Sequence, residues 1–173
     1  MKRKIALVFI ASFIFSLLFL VAGIISKAMA AEKMAERIST LPQFSLPNID
    51  GGLFTSKEIE AGPLLIIYFH PECEHCYHEI SSILESPLPD RDVKIILVSS
   101  ASHHLIRSFI DRIGNVGEAR IWILTDTALI FRGIFGSDII PSNYIYNKEL
   151  ELVKSIKGET RTETILKYLK SGS

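Results

Sequence analysis

The chain has 173 residues, 48 % hydrophobic and 22 % charged, which excludes a disordered protein and suits one globular domain with an appendage. All 19 acidic residues follow position 30, whereas Lys2, Arg3, Lys4 and Lys27 precede it, so the remainder holds 15 basic residues and a net charge of −4. A mildly acidic domain lacks the basic footprint of a phosphate binder, which argues against nucleic acid as a partner.

From Ile5 to Ile25 the sequence IALVFIASFIFSLLFLVAGII runs 21 residues without a charge. A helix of about 20 apolar residues spans the hydrocarbon core of a membrane. The preceding MKRK keeps the N-terminus in the cytoplasm and sends the rest outward. Two readings remain open. The segment is an uncleaved single-pass anchor, or a signal peptide removed after Ala30, where Ala28-Met29-Ala30 fits a small-x-small cleavage site. Its length exceeds the roughly 7–15 residues of a signal-peptide core, which favours the anchor. Residues 1–30 are therefore the anchor or signal peptide, residues 31–40 a polar helical spacer, and residues 41–173 the folded domain.

The domain opens with LPQFSLPNIDGGLF, whose prolines and DGG indicate extended pieces joined by a tight turn. Leu64 to Phe69 is wholly apolar and suits a central strand. Ile80, Ile83 and Leu84 recur at helical spacing until SPLPD (86–90) ends that helix. Val93 to Val98 reads as a second buried strand. Ser102 caps the next helix, whose stripe is Leu105, Ile106, Phe109, Ile110 and Ile113, and Gly114 stops it. ARIWIL (119–124) is a further strand, and DTALIFRGIF (126–135) a helix capped by Asp126. NYIYN and LELVKSI alternate as an antiparallel hairpin turned at Asn147 and Lys148. Thr160 and Glu163 form a capping box for a last helix with Ile165, Leu166 and Leu169 on its apolar face. This order predicts an α/β fold with a central mixed sheet flanked by helices.

Cys73 and Cys76 are the only cysteines, in YFHPECEHCYHEI. Cys73 falls after a buried strand, at the start of a helix, where free amides and the helix dipole stabilise an anion. A cysteine there reacts as a thiolate: Cys73 attacks a partner disulfide and Cys76 resolves the mixed disulfide. His75 can place positive charge near the Cys73 sulfur, while Glu72 and Glu74 oppose it. The motif is also half of many zinc sites, with His70 and His78 as further ligands. A bridge closing so short a loop stabilises little, so a purely structural disulfide is the weaker reading.

Several stretches together resemble the TlpA/ResA-like branch of thioredoxin-fold thiol-disulfide oxidoreductases, membrane-anchored or exported proteins of the AhpC/TSA–redoxin type. They are PQFSLPNIDGGLFTSKEI, LLIIYFHPECEHCYHE and IIPSNYIYNKELELVKSIKG, with the element order. The resemblance implies a thioredoxin-like fold with an added N-terminal β-hairpin. It implies that Pro141 is cis and faces the cysteines, so that the Ile140 backbone can pair with an extended substrate. It makes Glu79 an acid–base group near the thiols. It implies protein thiol and disulfide substrates, an electron partner that is a membrane or exported dithiol, and no cofactor beyond the Cys73–Cys76 disulfide. The family's usual direction is reduction. His75, in place of the proline of CxPC, resembles strongly oxidising relatives and leaves the direction open. The alternative is a thioredoxin-like metal-binding protein using the cysteines and nearby histidines.

Overall fold

Six consecutive apolar residues, Leu64–Phe69, have no polar side to turn to water, and they form the middle strand of the sheet with every residue buried. The structure, a computed structural model, describes residues 2–88, 92–114 and 120–171. The elements are α1 (Lys2–Arg37), β1 (Ser45–Pro47), β2 (Leu53–Thr55), β3 (Leu64–Phe69), α2 (Glu74–Leu84), β4 (Lys94–Ser99), α3 (His103–Ile113), β5 (Ile121–Thr125), α4 (Ile130–Phe135), β6 (Ser142–Tyr146), β7 (Leu152–Lys157) and α5 (Thr162–Ser171). Two compact units result, Met1–Glu36 and Arg37–Ser173. The stretch Phe13–Arg37 of α1 is long and apolar enough to cross a membrane. The polar stretch expected as a spacer continues the same helix as far as Arg37.

In the second unit five strands run in the order β5-β4-β3-β6-β7. β3 pairs in parallel with β4, and β4 with β5, while β6 is antiparallel to both β3 and β7. The sheet is thus mixed, as expected. β1 and β2 form a separate antiparallel pair, turned through Gly51 and Gly52 at φ 102° and 82°. Only glycine adopts such angles freely, so the DGG signal and the turn coincide.

Successive side chains on a strand face opposite ways, which divides β3 between two cores. Leu65, Ile67 and Phe69 join Ile80 and Ile83 of α2, Ile106 and Phe109 of α3, and Ile165 and Leu169 of α5. Right-handed crossovers from β3 to β4 to β5 put α2 and α3 on that one face. Tyr68 faces the other way and stacks on Phe131 at 5.4 Å, within an aromatic cluster that includes Phe44, Phe135 and Tyr144.

Several boundaries differ from the expectation. α4 starts at Ile130 and not near Asp126, because Leu129 is left-handed at φ 57° and breaks the helix there. Asp126 still caps it from a distance, accepting from the amides of Ile130 at 2.7 Å and Phe131 at 3.1 Å. α5 starts at Thr162, one residue later than a Thr160 cap would place it. Trp122 is half-buried and packs on Phe54 at 5.7 Å. Pro89, Asp90 and Ala119 lie outside the described residues.

Candidate active site

The parallel strands β3, β4 and β5 end at one edge of the sheet, and the β3–β6 register pairs Tyr68 with Ser142. The cysteine motif after β3 and the residues before β6 therefore meet at that edge. Phe69 is the last strand residue, and His70-Pro71 turns the chain. The Cys73 amide then donates to the His70 carbonyl at 3.1 Å, closing the turn.

Cys73 is the N-cap of α2, with φ −87° and ψ 112°. Its Sγ accepts from the Cys76 amide at 3.2 Å. An N-terminal amide aimed at sulfur, together with the positive end of the helix dipole, stabilises negative charge on Cys73. Cys73 is half-buried and Cys76 fully buried; both are free thiols. Burial pushes the Cys76 thiol far above its ordinary range, and contact with Cys73 and the charge of Glu79 push the same way. The pair is asymmetric: an accessible, cap-stabilised sulfur lies outside and a reluctant thiol inside.

Glu79 is 2 % exposed, so it is not a solvated helix-face residue. Its Oε1 accepts from Asn143 Nδ2 at 2.8 Å, and its Oε2 from the Thr160 amide at 2.5 Å. Burial raises its carboxyl above the ordinary 4.5; these two donors pull it back, and Glu159 adds to the rise. A buried carboxyl with raised proton affinity beside a buried thiol has the character of a proton acceptor.

The Ile140–Pro141 peptide bond is cis, and Pro141 is buried where β6 begins. Ile140 is 37 % exposed at the same edge. His75, on the exposed side of α2, places Nδ1 2.6 Å from Glu159 Oε2. Among the described residues no group of three or more His, Cys, Asp or Glu is arranged to hold a metal ion.

Sequence reading missed Asn143, Glu159 and Arg112, and it took Thr160 only as a helix cap, whereas its amide binds Glu79. Arg112, in the last turn of α3, lies over the Tyr77 ring at 4.5 Å and donates to the Pro71 carbonyl at 3.2 Å, clamping the turn that carries Cys73. A signal for Asn143 existed: it is the one amide side chain in the wholly buried strand SNYIY.

Comparison with known proteins bears on the fold that carries this site. A secreted disulfide oxidoreductase of Mycobacterium tuberculosis homologous to E. coli DsbE has 14 % identity and a TM-score of 0.65, with 79 % of this chain and 98 % of that one covered. A thiol:disulfide interchange protein of Chlorobium tepidum has 15 % identity and a TM-score of 0.65, covering 78 % and 95 %. An exposed lipoprotein thioredoxin of Streptococcus pneumoniae has 18 % identity and a TM-score of 0.61, covering 75 % and 98 %. No curated protein matches the sequence. The similarity to solved structures establishes a thioredoxin-like fold. Fold, thiol pair and family match together define the class, a thioredoxin-like thiol-disulfide oxidoreductase. Within it, residues 39–155 match the AhpC/TSA family, and the chain belongs to that family.

Proposed function

We propose that the protein is a membrane-anchored, extracytoplasmic oxidoreductase that reduces disulfides of protein substrates through Cys73 and Cys76. The single observation that carries this reading is the asymmetry of the pair, Cys73 capping α2 through the Cys76 amide while Cys76 lies buried next to Glu79.

The Cys73 thiolate attacks one sulfur of the substrate disulfide, and the other substrate sulfur leaves with the bonding electron pair. A mixed disulfide remains. Cys76 then gives its proton to the Glu79 carboxylate, and its sulfur attacks Cys73. The bond between Cys73 and the substrate breaks, and the second substrate sulfur leaves as thiolate. The substrate gains two electrons and the protein becomes the Cys73–Cys76 disulfide. A membrane or exported dithiol returns two electrons to it. No metal or organic cofactor takes part. Ile140 and Pro141 position the substrate, whose extended backbone pairs with the chain at the edge of the sheet. His75 tunes the potential. The N-terminal helix holds the chain in the membrane with the domain outside, in keeping with the charges that precede it.

Equilibrating the full chain with glutathione buffers tests the direction. A potential near about −270 mV supports reduction, and one near about −120 mV overturns it in favour of disulfide donation. The roles of the cysteines are tested by trapping. Cys76→Ser accumulates mixed disulfides with substrate proteins and Cys73→Ser accumulates none; the reverse pattern overturns the assignment.

A further inference from the structure

His75 and Glu159 do not themselves exchange a bond or a proton in the steps above, yet the structure ties them to both ends of the site. His75 stands between the cysteines and contacts Glu159 at 2.6 Å. Glu159 follows Gly158, whose φ of 91° turns the chain out of β7, and precedes Thr160, whose amide binds Glu79. One short turn therefore carries a partner of the motif's histidine and a donor to the buried carboxyl.

An open cleft of about 470 Å³ reaches Glu79 between His78, Glu159, Arg161 and Glu163. Cys76 of α2, Asn143 of β6 and Glu159 of the turn interact with Glu79, and the charged or titratable groups lining the cleft beside it are His78 from α2, Glu159 and Arg161 from the turn, and Glu163 from α5. Among these, Glu159 is the acid whose charge strengthens the hold of Glu79 on a proton, in addition to burial. A donor held against the Glu159 carboxylate weakens that influence, and His75, whose Nδ1 donates to Oε2 at 2.6 Å, supplies one.

We infer that Glu159 is a positioning residue of the exchange: it sets how readily Glu79 accepts the Cys76 proton, with His75 as the hydrogen-bond donor that moderates it. The inference rests on the exchange proposed above, in which Cys76 gives its proton to Glu79. His75 then acts on the resolving thiol through Glu159, in addition to any direct effect on Cys73.

The test uses the full chain in detergent, reduced and mixed with an aromatic disulfide, 5,5′-dithiobis(2-nitrobenzoate). The first aryl thiolate released reports attack by Cys73. The second reports attack by Cys76 on the mixed disulfide, with its proton passing to Glu79. In the wild type, the second rate constant rises with pH as Glu79 ionises. In Glu159→Gln the rise moves to lower pH and the plateau falls roughly threefold, because a weaker base accepts the proton less readily. His75→Asn moves the rise to higher pH. The double variant behaves as Glu159→Gln alone, and Glu159→Asp restores the wild-type profile. An unchanged profile in Glu159→Gln, or a shift of the same sign in His75→Asn, overturns the inference while the two phases persist. Loss of the second phase from the wild type overturns the underlying exchange instead.

Discussion

A carboxyl sealed from water holds its proton more firmly than one in water, and only donors aimed at its oxygens offset that. Glu79 has two such donors, Asn143 and Thr160, yet burial prevails and its carboxyl stays above 4.5. The sign of the linkage follows. A raised folded-state value means the native protein binds the proton more tightly than the unfolded chain. The resulting stabilisation is present in full below about pH 4.5 and is lost as pH rises through the folded-state value. Glu79→Gln removes this dependence. The side chain is nearly isosteric, and the buried Asn143 Oδ1, unpartnered in the wild type, can accept from the new amide. Urea midpoints of the full chain from about pH 4 to pH 8 should fall in the wild type and stay flatter in the variant. Equal slopes in the two would mean that Glu79 carries no such shift. The same residues show what the sequence discloses. Cys73 and Cys76 are legible because a cysteine pair stands where a buried strand gives way to a helix, and the cis Pro141 is legible only through the family resemblance. Asn143 and Glu159 are not, because they lie 64 and 84 residues from the side chains they meet. Their roles exist only once the sheet brings β6 and the β7–α5 turn against α2.

Helix starts follow the same logic one level up. α4 has no side-chain cap at Leu129; Asp126, 1 % exposed, accepts from its first two amides across a turn. Removing those oxygens leaves two amides at the buried foot of the helix, each costing about 1–3 kcal/mol if nothing replaces them. Asp126→Ala should therefore destabilise the domain by about 2 kcal/mol or more, and Asp126→Asn by less, since one acceptor remains. Denaturation midpoints at unchanged slope measure both, and a loss for Asp126→Ala within about 0.5 kcal/mol would deny the capping role. α3 shows the legible case: Ser102 precedes it directly and accepts from Leu105, and Gly114 closes it at φ 67°. Local signals suffice there because cap and helix are contiguous. At α4 the cap is displaced, and at α5 the Thr160 amide is taken by Glu79, so pattern alone misplaces both starts. The strands were plainer, since six apolar residues in β3 allow only a covered position.

At the scale of the whole chain, the N-terminal helix decides where the chemistry occurs. Phe13, Phe15 and Phe19 are 70 %, 74 % and 77 % exposed, on a helix with no charged residue between Ile5 and Ile25. Burying such side chains gains roughly 25 cal/mol per Å² of apolar surface, so a bilayer is the natural place for this helix, which is apolar all round. An uncleaved anchor makes two demands. The chain stays in the membrane pellet after an alkaline carbonate wash, and its N-terminal residues remain attached. Arginine near the middle of a spanning helix costs about 3 kcal/mol per residue, so Leu17→Arg with Leu18→Arg should move the chain out of the pellet. A helix that merely rested on another protein would tolerate the change far better. Mass spectrometry of the wild-type chain gives the second reading of the same experiment. A species beginning at Ala31 in the soluble fraction would overturn the anchor, because cleavage after Ala30 leaves no apolar segment to hold the domain. The double arginine variant would then fail in export and accumulate uncleaved, whereas with an anchor the wild type keeps all its residues in the membrane and only the variant loses its place there.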